Sequence, residues 1–204
     1  MTTNRDGQAA RLGVRERTQL AIRSELSAAA LSSFAARGFD ATTVDDIAAS
    51  VGVSRRTFFR YFASKEDAIL QSVGQTGDAI AARLARRPPG EPVLEALRRS
   101  LDVIEEEFAA DPERWLTLMT LSRETPALRA RHLDKQDRWI GQMAEVLAPR
   151  MALHPGDTRP RIYCAVTLAA ADVELAALGP AITRADIHSA LDHAIEAITQ
   201  LGGR

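Results

Sequence analysis

The stretch that most constrains the fold covers residues 43–61 and reads TVDDIAASVGVSRRTFFRY. Thr43 followed by Asp46 is the pattern of a capping box, which predicts that a short helix begins there. Gly52 tolerates a positive φ where the chain reverses, and Ser54 is a favoured N-cap residue for a second helix. Two short helices joined by a glycine turn predict a helix-turn-helix.

The second helix of this motif carries side chains suited to DNA. The helix-turn-helix core is formed by apolar residues that hold the two helices at a fixed angle: Ile47, Val51, Val53 and Phe58. The side chains left outside are basic or hydroxylic, namely Arg55, Arg56, Thr57 and Arg60. Such groups bind phosphates and guanine edges, so DNA binding is the leading function.

Composition limits the alternatives. With 204 residues, 46% of them hydrophobic, the chain can bury a sizeable core in one large or two small domains. A single cysteine excludes an intramolecular disulfide and fits a reducing cytoplasm. The first fifteen residues are polar and basic, unlike a signal peptide, and the run 163–178 is too short and too charged to cross a bilayer. We therefore expect a cytoplasmic, nucleoid-associated protein with no membrane partner.

Charge is unevenly distributed along the chain. Residues 1–65 contain ten Lys and Arg against six Asp and Glu, whereas the remainder contains sixteen against twenty-one. A basic head on an acidic body suits a polyanion-binding module joined to a module with another task. Chance variation in surface charge is the alternative.

Helical periodicity and capping signals extend along almost the whole sequence. They predict an all-α fold of about nine helices: 17–37, the two motif helices, 65–86, 93–109, 112–123, 126–151, 158–178 and 183–201. We divide the chain into a flexible basic arm (1–15), a three-helix DNA-binding domain (16–64) and a helical ligand-binding and dimerisation domain (65–204). Gly74 and Gly77 weaken the fourth helix and indicate a bend or a close helix contact.

Large, adaptable apolar residues suggest a ligand cavity in the second domain. Trp115, Met119, Trp139 and Met143 lie on two successive helices, as residues that line apolar pockets do. Arg123, together with Arg129 and His132, is placed to meet an anionic head group. Ordinary core packing of the apolar residues and plain solvent exposure of the cations are the alternatives.

The last two predicted helices are apolar on more than one side, so each needs two neighbours. We expect them to pair with the same helices of a second subunit and form a four-helix bundle. The candidate interface residues are Leu168, Ala169, Ala176, Ile187, Leu191, Ile195 and Ile198. Packing within one subunit is the alternative.

No enzymatic pattern stands out. His188 and Asp192 are spaced so that they could begin a metal site, but no third ligand is apparent and a solvated helix face is the simpler interpretation. Cys164 lies among apolar neighbours and is interpreted as a buried small hydrophobe. Phosphate loops and dinucleotide fingerprints are absent from the sequence. We therefore expect a protein that is not an enzyme and has no cofactor or metal.

Residues 34–69, FAARGFDATTVDDIAASVGVSRRTFFRYFASKEDAI, resemble the N-terminal domain of the TetR family of bacterial transcriptional regulators. The points of agreement, at fixed spacing, are Phe34, Gly38, Thr43, Ile47, Ala48, Gly52, Val53, Ser54, Tyr61, Phe62 and Lys65. The resemblance implies an all-helical subunit of nine or ten helices. Its first three helices would bind DNA, and the rest would bind a ligand and dimerise.

The resemblance also implies which residues contact DNA: Thr43, Ser54, Arg55, Arg56, Thr57, Phe59, Tyr61 and Lys65. The two capping hydroxyls and their helix N-termini would meet phosphates, and the residues at the front of the second helix would read base edges. Tyr61 and Lys65 would clamp the backbone of one strand, while Phe59 would touch DNA or the first helix. Many members carry a small residue at the position of Arg56, so the operator sequence stays open.

Residues 118–151 are similar to the mycofactocin-regulator type within this family, which implies an acyl-CoA-like or other small hydrophobic effector. The expected protein is a homodimeric repressor that its effector releases from a palindromic double-stranded operator. Three alternatives stay open. The chain could be an architectural DNA-binding protein without an effector, a protein-interaction scaffold tethered by the helix-turn-helix, or a transcriptional activator.

Overall fold

The computed structural model describes residues 13–154, 156–179 and 181–202. These residues contain no strand and form eleven helical segments: α1 (Val14–Arg37), α2 (Val44–Ser50), α3 (Arg55–Tyr61), α4 (Lys65–Ile69), α5 (Gln71–Ala85), α6 (Val93–Ser100), α7 (Asp102–Ala110), α8 (Pro112–Glu124), α9 (Pro126–Arg150), α10 (Arg159–Ala177) and α11 (Arg184–Gly202). Leu70 alone separates α4 from α5, and Leu101 alone separates α6 from α7. Counted as two interrupted helices, these pairs leave nine helices in the described ranges, which confirms the predicted all-α fold.

Two compact units make up the chain, and they divide between Gln71 and Ser72. The predicted division after Ser64 lies seven residues earlier. The difference arises because α4 belongs to the first unit, where Ser27 Oγ donates a hydrogen bond to the carbonyl of Ala68 at 2.6 Å. Of the predicted arm, residues 1–12 lie outside the described residues, and its end is helical because α1 begins at Val14.

The first unit closes around aromatic rings. Phe34 of α1 packs on Phe39 with ring centroids 5.0 Å apart, and Phe58 of α3 packs on Phe62 at 5.5 Å. The φ angles at Gly38 and Gly52 are 84° and 70°, which β-carbon-bearing residues rarely adopt. These two glycines end α1 and turn the chain between α2 and α3, as the sequence predicts.

The second unit is a helical bundle in which α10 packs against both α9 and α11. Its core consists of buried aliphatic side chains from several helices, including Leu97, Leu128, Leu147, Leu168 and Leu191. Cys164 is fully buried among them, as predicted, and burial raises the pKa of its thiol to about 12. No described helix combines the length and apolar character that crossing a bilayer requires.

A buried arginine joins three helices of this unit. Arg98 of α6 is 3% exposed and donates hydrogen bonds to Asp102 at 2.7 Å, to Glu105 at 3.2 Å and to Asp192 of α11. His188 Nδ1 lies 2.8 Å from Glu105 Oε1. His188 and Asp192 therefore belong to an ion network around Arg98. Within the described residues, no three His, Cys, Asp or Glu side chains are arranged to hold a metal ion.

Candidate DNA-binding surface and ligand cavity

The helix α3 is fixed at its start by a side-chain cap. Ser54 Oγ accepts a hydrogen bond from the backbone N–H of Thr57 at 3.1 Å. Phe58 is fully buried beneath the helix. The guanidinium-bearing residues Arg55, Arg56 and Arg60 are all exposed. A capped helix anchored on one side and basic on the other is the form in which a recognition helix meets a groove.

The helix α2 begins with the predicted capping box. Asp46 Oδ2 accepts hydrogen bonds from the backbone N–H of Thr43 at 2.9 Å and from its hydroxyl at 2.7 Å. The Thr43 hydroxyl accepts from the N–H of Asp46 at 3.2 Å. The hydrogen bonds from Thr43 hold the pKa of the Asp46 carboxyl below its usual range. Thr43 is thus exposed at a rigid helix start, where it was expected.

Arg55 is exposed but engaged. Its guanidinium lies 2.7 Å from the carboxylate of Asp45, with 57% of the Arg55 side chain accessible to solvent. The same guanidinium lies over the ring of Phe59, 5.3 Å from the centroid. Asp45 and DNA would therefore compete for Arg55.

Arg56 differs from its neighbour. It is exposed and makes no hydrogen bond or ion pair with any residue that the structure describes. Tyr61, at the end of α3, accepts a hydrogen bond from Arg60 at 3.0 Å, and its ring is covered by the Arg60 guanidinium. Arg56 is thus the cation of α3 that is ready to bind without first losing a partner.

The structure places Lys65 differently from the expectation that it clamps DNA. Its ammonium donates hydrogen bonds to the carbonyls of Phe39 at 2.7 Å and Thr42 at 3.0 Å. It also lies 4.0 Å from the centroid of the Phe39 ring. Because these three contacts point into the first unit, Lys65 holds the turn after α1 and is not presented to a phosphate.

The second unit contains a cavity that is partly open to solvent. Five helices line it, α5 and α7 to α10. Trp115, Met119 and Trp139 lie in its wall, as expected for ligand-binding residues. Met143 does not line the cavity and is fully buried, so its prediction as a ligand contact is corrected to a core role. Arg123 lies in two adjoining grooves that share Met119 and Leu175 with the cavity.

The glycine at position 77 explains how one wall of the cavity is built. A β-carbon at Gly77 would lie 1.9 Å from Cδ1 of Trp139. The indole of Trp139, only 7% exposed, therefore rests directly on the backbone of α5. Gly77 thus marks a close helix contact, one of the two interpretations that its position in a helix allows.

The predicted dimer contacts divide into two groups. Leu168, Ile187 and Leu191 are buried within the subunit, so they are unavailable to a partner, and their assignment to the interface is corrected. Ala169 is exposed, while Ala176, Ile195 and Ile198 are half-buried. The periodicity that identified these helices as apolar could not distinguish the side facing the core from the side facing outward.

An apolar face of α10, of which only Ala169 was predicted from the sequence as an interface residue, points to solvent. It consists of Ile162, Val166, Ala169 and Val173, spaced four, three and four residues apart, and we call it the α10 stripe. Ile162 is 55% exposed and Val173 is 68% exposed. The opposite side of the same helix, with Cys164 and Leu168, is buried in the core. The four-three-four spacing of these apolar residues is visible in the sequence. It was hard to recognise because other sides of the same helix are apolar too.

Two family models match separate parts of the chain. Residues 26–71 match the model described as bacterial regulatory proteins of the tetR family. Residues 91–201, more than half of the chain, match the MftR C-terminal domain. The transcriptional regulator TcmR of Streptomyces glaucescens is 35% identical over 161 residues, which cover 76% of this chain and 71% of TcmR.

Solved structures share the fold. FadR of Thermus thermophilus, a TetR-family repressor solved in complex with lauroyl-CoA, is 24% identical with a TM-score of 0.56, covering 87% of this chain and 93% of that one. FadR of Bacillus halodurans, a fatty acid degradation regulator, is 18% identical with a TM-score of 0.58, covering 89% and 95%. With these folds, the two family models and the capped helix-turn-helix in agreement, the chain belongs to the TetR family of bacterial transcriptional regulators, with a helix-turn-helix DNA-binding domain followed by an MftR-type C-terminal domain.

Proposed function

We propose that this regulator is a homodimeric repressor, released from a palindromic operator in the cytoplasm by a small hydrophobic effector. The observation that carries the proposal is α3, a capped helix with Phe58 buried on one side and exposed guanidinium groups on the other. In the proposed complex, two copies of α3 enter successive major grooves, with half-sites spaced by ~34–36 Å or a small multiple of a turn.

Different residues of the surface have different tasks in this complex. Thr43 and Ser54 meet phosphates through hydroxyls and the N–H groups of their helix ends. Arg56, with no partner to lose among the described residues, reads base edges. Arg55 joins after it leaves Asp45. Thr57, Phe59 and Tyr61 complete the contact surface.

The effector enters the cavity of the second unit. Its wall is mostly apolar and includes both tryptophans of the chain, which suits a small hydrophobic or amphipathic molecule. The Thermus thermophilus relative, solved with lauroyl-CoA, supports an acyl-CoA-like molecule as one candidate. The effector releases DNA only if it binds the DNA-incompetent conformation better. Moving the population from 99:1 to 1:99 requires ~5.5 kcal/mol of such preference.

The second subunit covers the α10 stripe. An apolar helix face with residues as exposed as Val173 is rare on a monomer unless something binds it. A second copy of the same face satisfies it symmetrically, as in an isologous dimer. Half-buried Ala176, Ile195 and Ile198 extend the contact at its edge.

Selection of bound duplexes from a random-sequence pool tests the proposal. We expect recovery of a near-palindromic sequence, which can then be sought beside the protein's own coding region. If no sequence is enriched, the chain is an architectural DNA-binding protein and the repressor proposal fails. If the palindrome lies where bound protein recruits polymerase, the regulator is an activator.

A further inference from the structure

The two ends of the ligand cavity differ in chemistry. Thr76 and Glu107 line the cavity but not the adjoining grooves, so they mark its inner end. There the Thr76 hydroxyl donates to both carboxylate oxygens of Glu107, at 2.7 and 2.9 Å. Among the described residues of the cavity wall, Glu107 and Asp172 carry carboxylates and no lysine or arginine is present. The carboxylate of Glu107 therefore offers hydrogen-bond acceptors, and no donor, at this end of the cavity.

The outer end opens into a groove whose wall adds two guanidinium groups. We call it the outer groove, lined by Ser122, Arg123, Arg129, His132, Asp172 and Val173 among others. Ser122 Oγ and His132 Nδ1 are both buried, and neither has a hydrogen-bond partner among the described residues. Buried polar atoms are rarely left unpaired without a cause such as a missing ligand.

The guanidinium groups of the outer groove indicate the sign of that ligand group. Arg123 and Arg129 are both exposed at the groove and offer planar donors that match a carboxylate. Asp172 lies 4.0 Å from the other ring nitrogen of His132, Nε2, so this carboxylate is not the partner of Nδ1. The outer groove therefore suits a group that is anionic and accepts hydrogen bonds.

We propose that the effector is a bipolar molecule, with a hydrogen-bond-donating group, such as a hydroxyl, at the inner end beside Glu107 and a carboxylate in the outer groove. Its apolar body lies between the two ends, against the indoles of Trp115 and Trp139. This inference rests on the proposed effector-binding function and specifies its ligand. A plain acyl tail would place its methyl end against Glu107. The carboxylate would then lose its hydration without receiving a hydrogen bond from the ligand, which is unfavourable.

Pairs of fatty acids that differ by one hydroxyl test this inference on the full-length protein without DNA. Alkanoates of even chain length from octanoate to tetradecanoate are compared with the ω-hydroxy acids of the same length. Because the chain has two tryptophans and both line the cavity, their fluorescence reports binding directly. A hydrogen bond to a charged group contributes ~1.5–3 kcal/mol, so we expect the best ω-hydroxy acid to bind about tenfold more tightly than its alkanoate.

Two variants separate the ends of the cavity. Glu107→Leu should abolish or reverse the preference for the hydroxyl, whereas Arg123→Gln should weaken both acids alike and keep their ratio. The melting midpoint of each variant, measured without ligand, shows that it is folded. Equal or tighter binding of the plain alkanoates by the wild type, binding of neither series, or an unchanged ratio in folded Glu107→Leu would overturn the inference. Failure of the proposed function shows itself separately, as failure to select an operator.

Discussion

At the scale of single residues, neighbours decide what each cation of the first unit can do. Arg55 and Arg56 are adjacent in sequence and both exposed, yet only Arg55 is held by Asp45. Lys65 is held more firmly, by two carbonyls and an aromatic ring. Charge counted along the chain therefore overestimates the number of cations that are ready to bind phosphate.

Replacing Asp45 by asparagine should strengthen DNA binding. The change removes the carboxylate that competes for Arg55 and one negative charge beside the DNA-binding surface. We expect affinity for operator and for random duplex to rise together by a few-fold at low salt, with the gain shrinking as salt increases. Fluorescence anisotropy with labelled duplexes measures both. Asp40→Asn, at an exposed position of the same unit, is the matched control; weaker binding by Asp45→Asn would contradict the competition.

The thiol of Cys164 should make stability sensitive to alkaline pH. Burial raises the pKa of this thiol from its ordinary value of 9.0 to about 12, so the folded state keeps the thiol protonated at pH values where the unfolded chain loses the proton. The contribution of the buried, neutral thiol to the free energy of unfolding is complete below pH 9 and is lost as pH rises toward 12. Denaturant unfolding at pH 7 to 11 should therefore show a steeper decline for the wild type than for Cys164→Ala. Parallel curves for the two proteins would contradict the inert, buried thiol.

At the scale of helices, local signals predicted where most elements begin and end. The predicted caps at Thr43 and Ser54 form in the structure, because each uses atoms within three residues of the helix start. The interruptions at Leu70 and Leu101 were not predicted, since ordinary helix-forming residues surround them. Which side of α10 faces the core was also beyond the sequence, because both sides are apolar.

The candidate sites show the same limit. Most residues proposed to contact DNA lie within a continuous stretch of nineteen residues, 43–61, with its own capping pattern, so the sequence alone could group them. The inner end of the cavity was missed, since Thr76 and Glu107 are 31 positions apart in the chain. The Arg98 network was also missed, because Asp192 lies 94 positions away. Contacts of this kind depend on tertiary packing, and no local sequence pattern indicates them.

The Arg98 network should be the most sensitive polar feature of the second unit. Arg98→Ala removes the buried guanidinium that pairs with Asp102, Glu105 and Asp192, and breaking a buried pair costs ~3–5 kcal/mol. The adjacent Arg99 pairs with Glu95 on the surface, with both side chains nearly half exposed. Arg99→Ala should therefore change the free energy of unfolding by less than ~1 kcal/mol. Thermal and denaturant unfolding measure the free energy of unfolding of both variants. A similar loss of stability in the two variants would contradict the importance of burial for the Arg98 network.

At the scale of the whole molecule, the basic first unit and the acidic remainder agree with a division between DNA binding and effector control. Binding to a palindromic operator requires a twofold-symmetric dimer, because one α3 contacts only half of a palindrome. The α10 stripe is the surface proposed to form the interface of this dimer. The outer groove shares Ala169 and Val173 with that stripe, so a second subunit would close over the mouth of the ligand site.

Val173→Glu should separate the subunits without unfolding them. The side chain is 68% exposed in the single subunit, so a carboxylate there is tolerated by the monomer but buried without a partner in the proposed dimer. Sedimentation velocity should show a monomer at concentrations where the wild type is a dimer. Ala185→Glu, at an exposed position of α11, should leave the mass unchanged. A dimeric Val173→Glu variant would place the interface elsewhere.

The most direct test of DNA reading by α3 is the ratio of affinities for the selected operator and for a random duplex, measured by anisotropy at one fixed salt concentration. The wild type should favour the operator strongly. Arg56→Ala should lose ~1–3 kcal/mol on the operator for each base contact and much less on random DNA, so that the ratio falls. Equal losses on both duplexes, or an unchanged ratio, would contradict base reading by this helix.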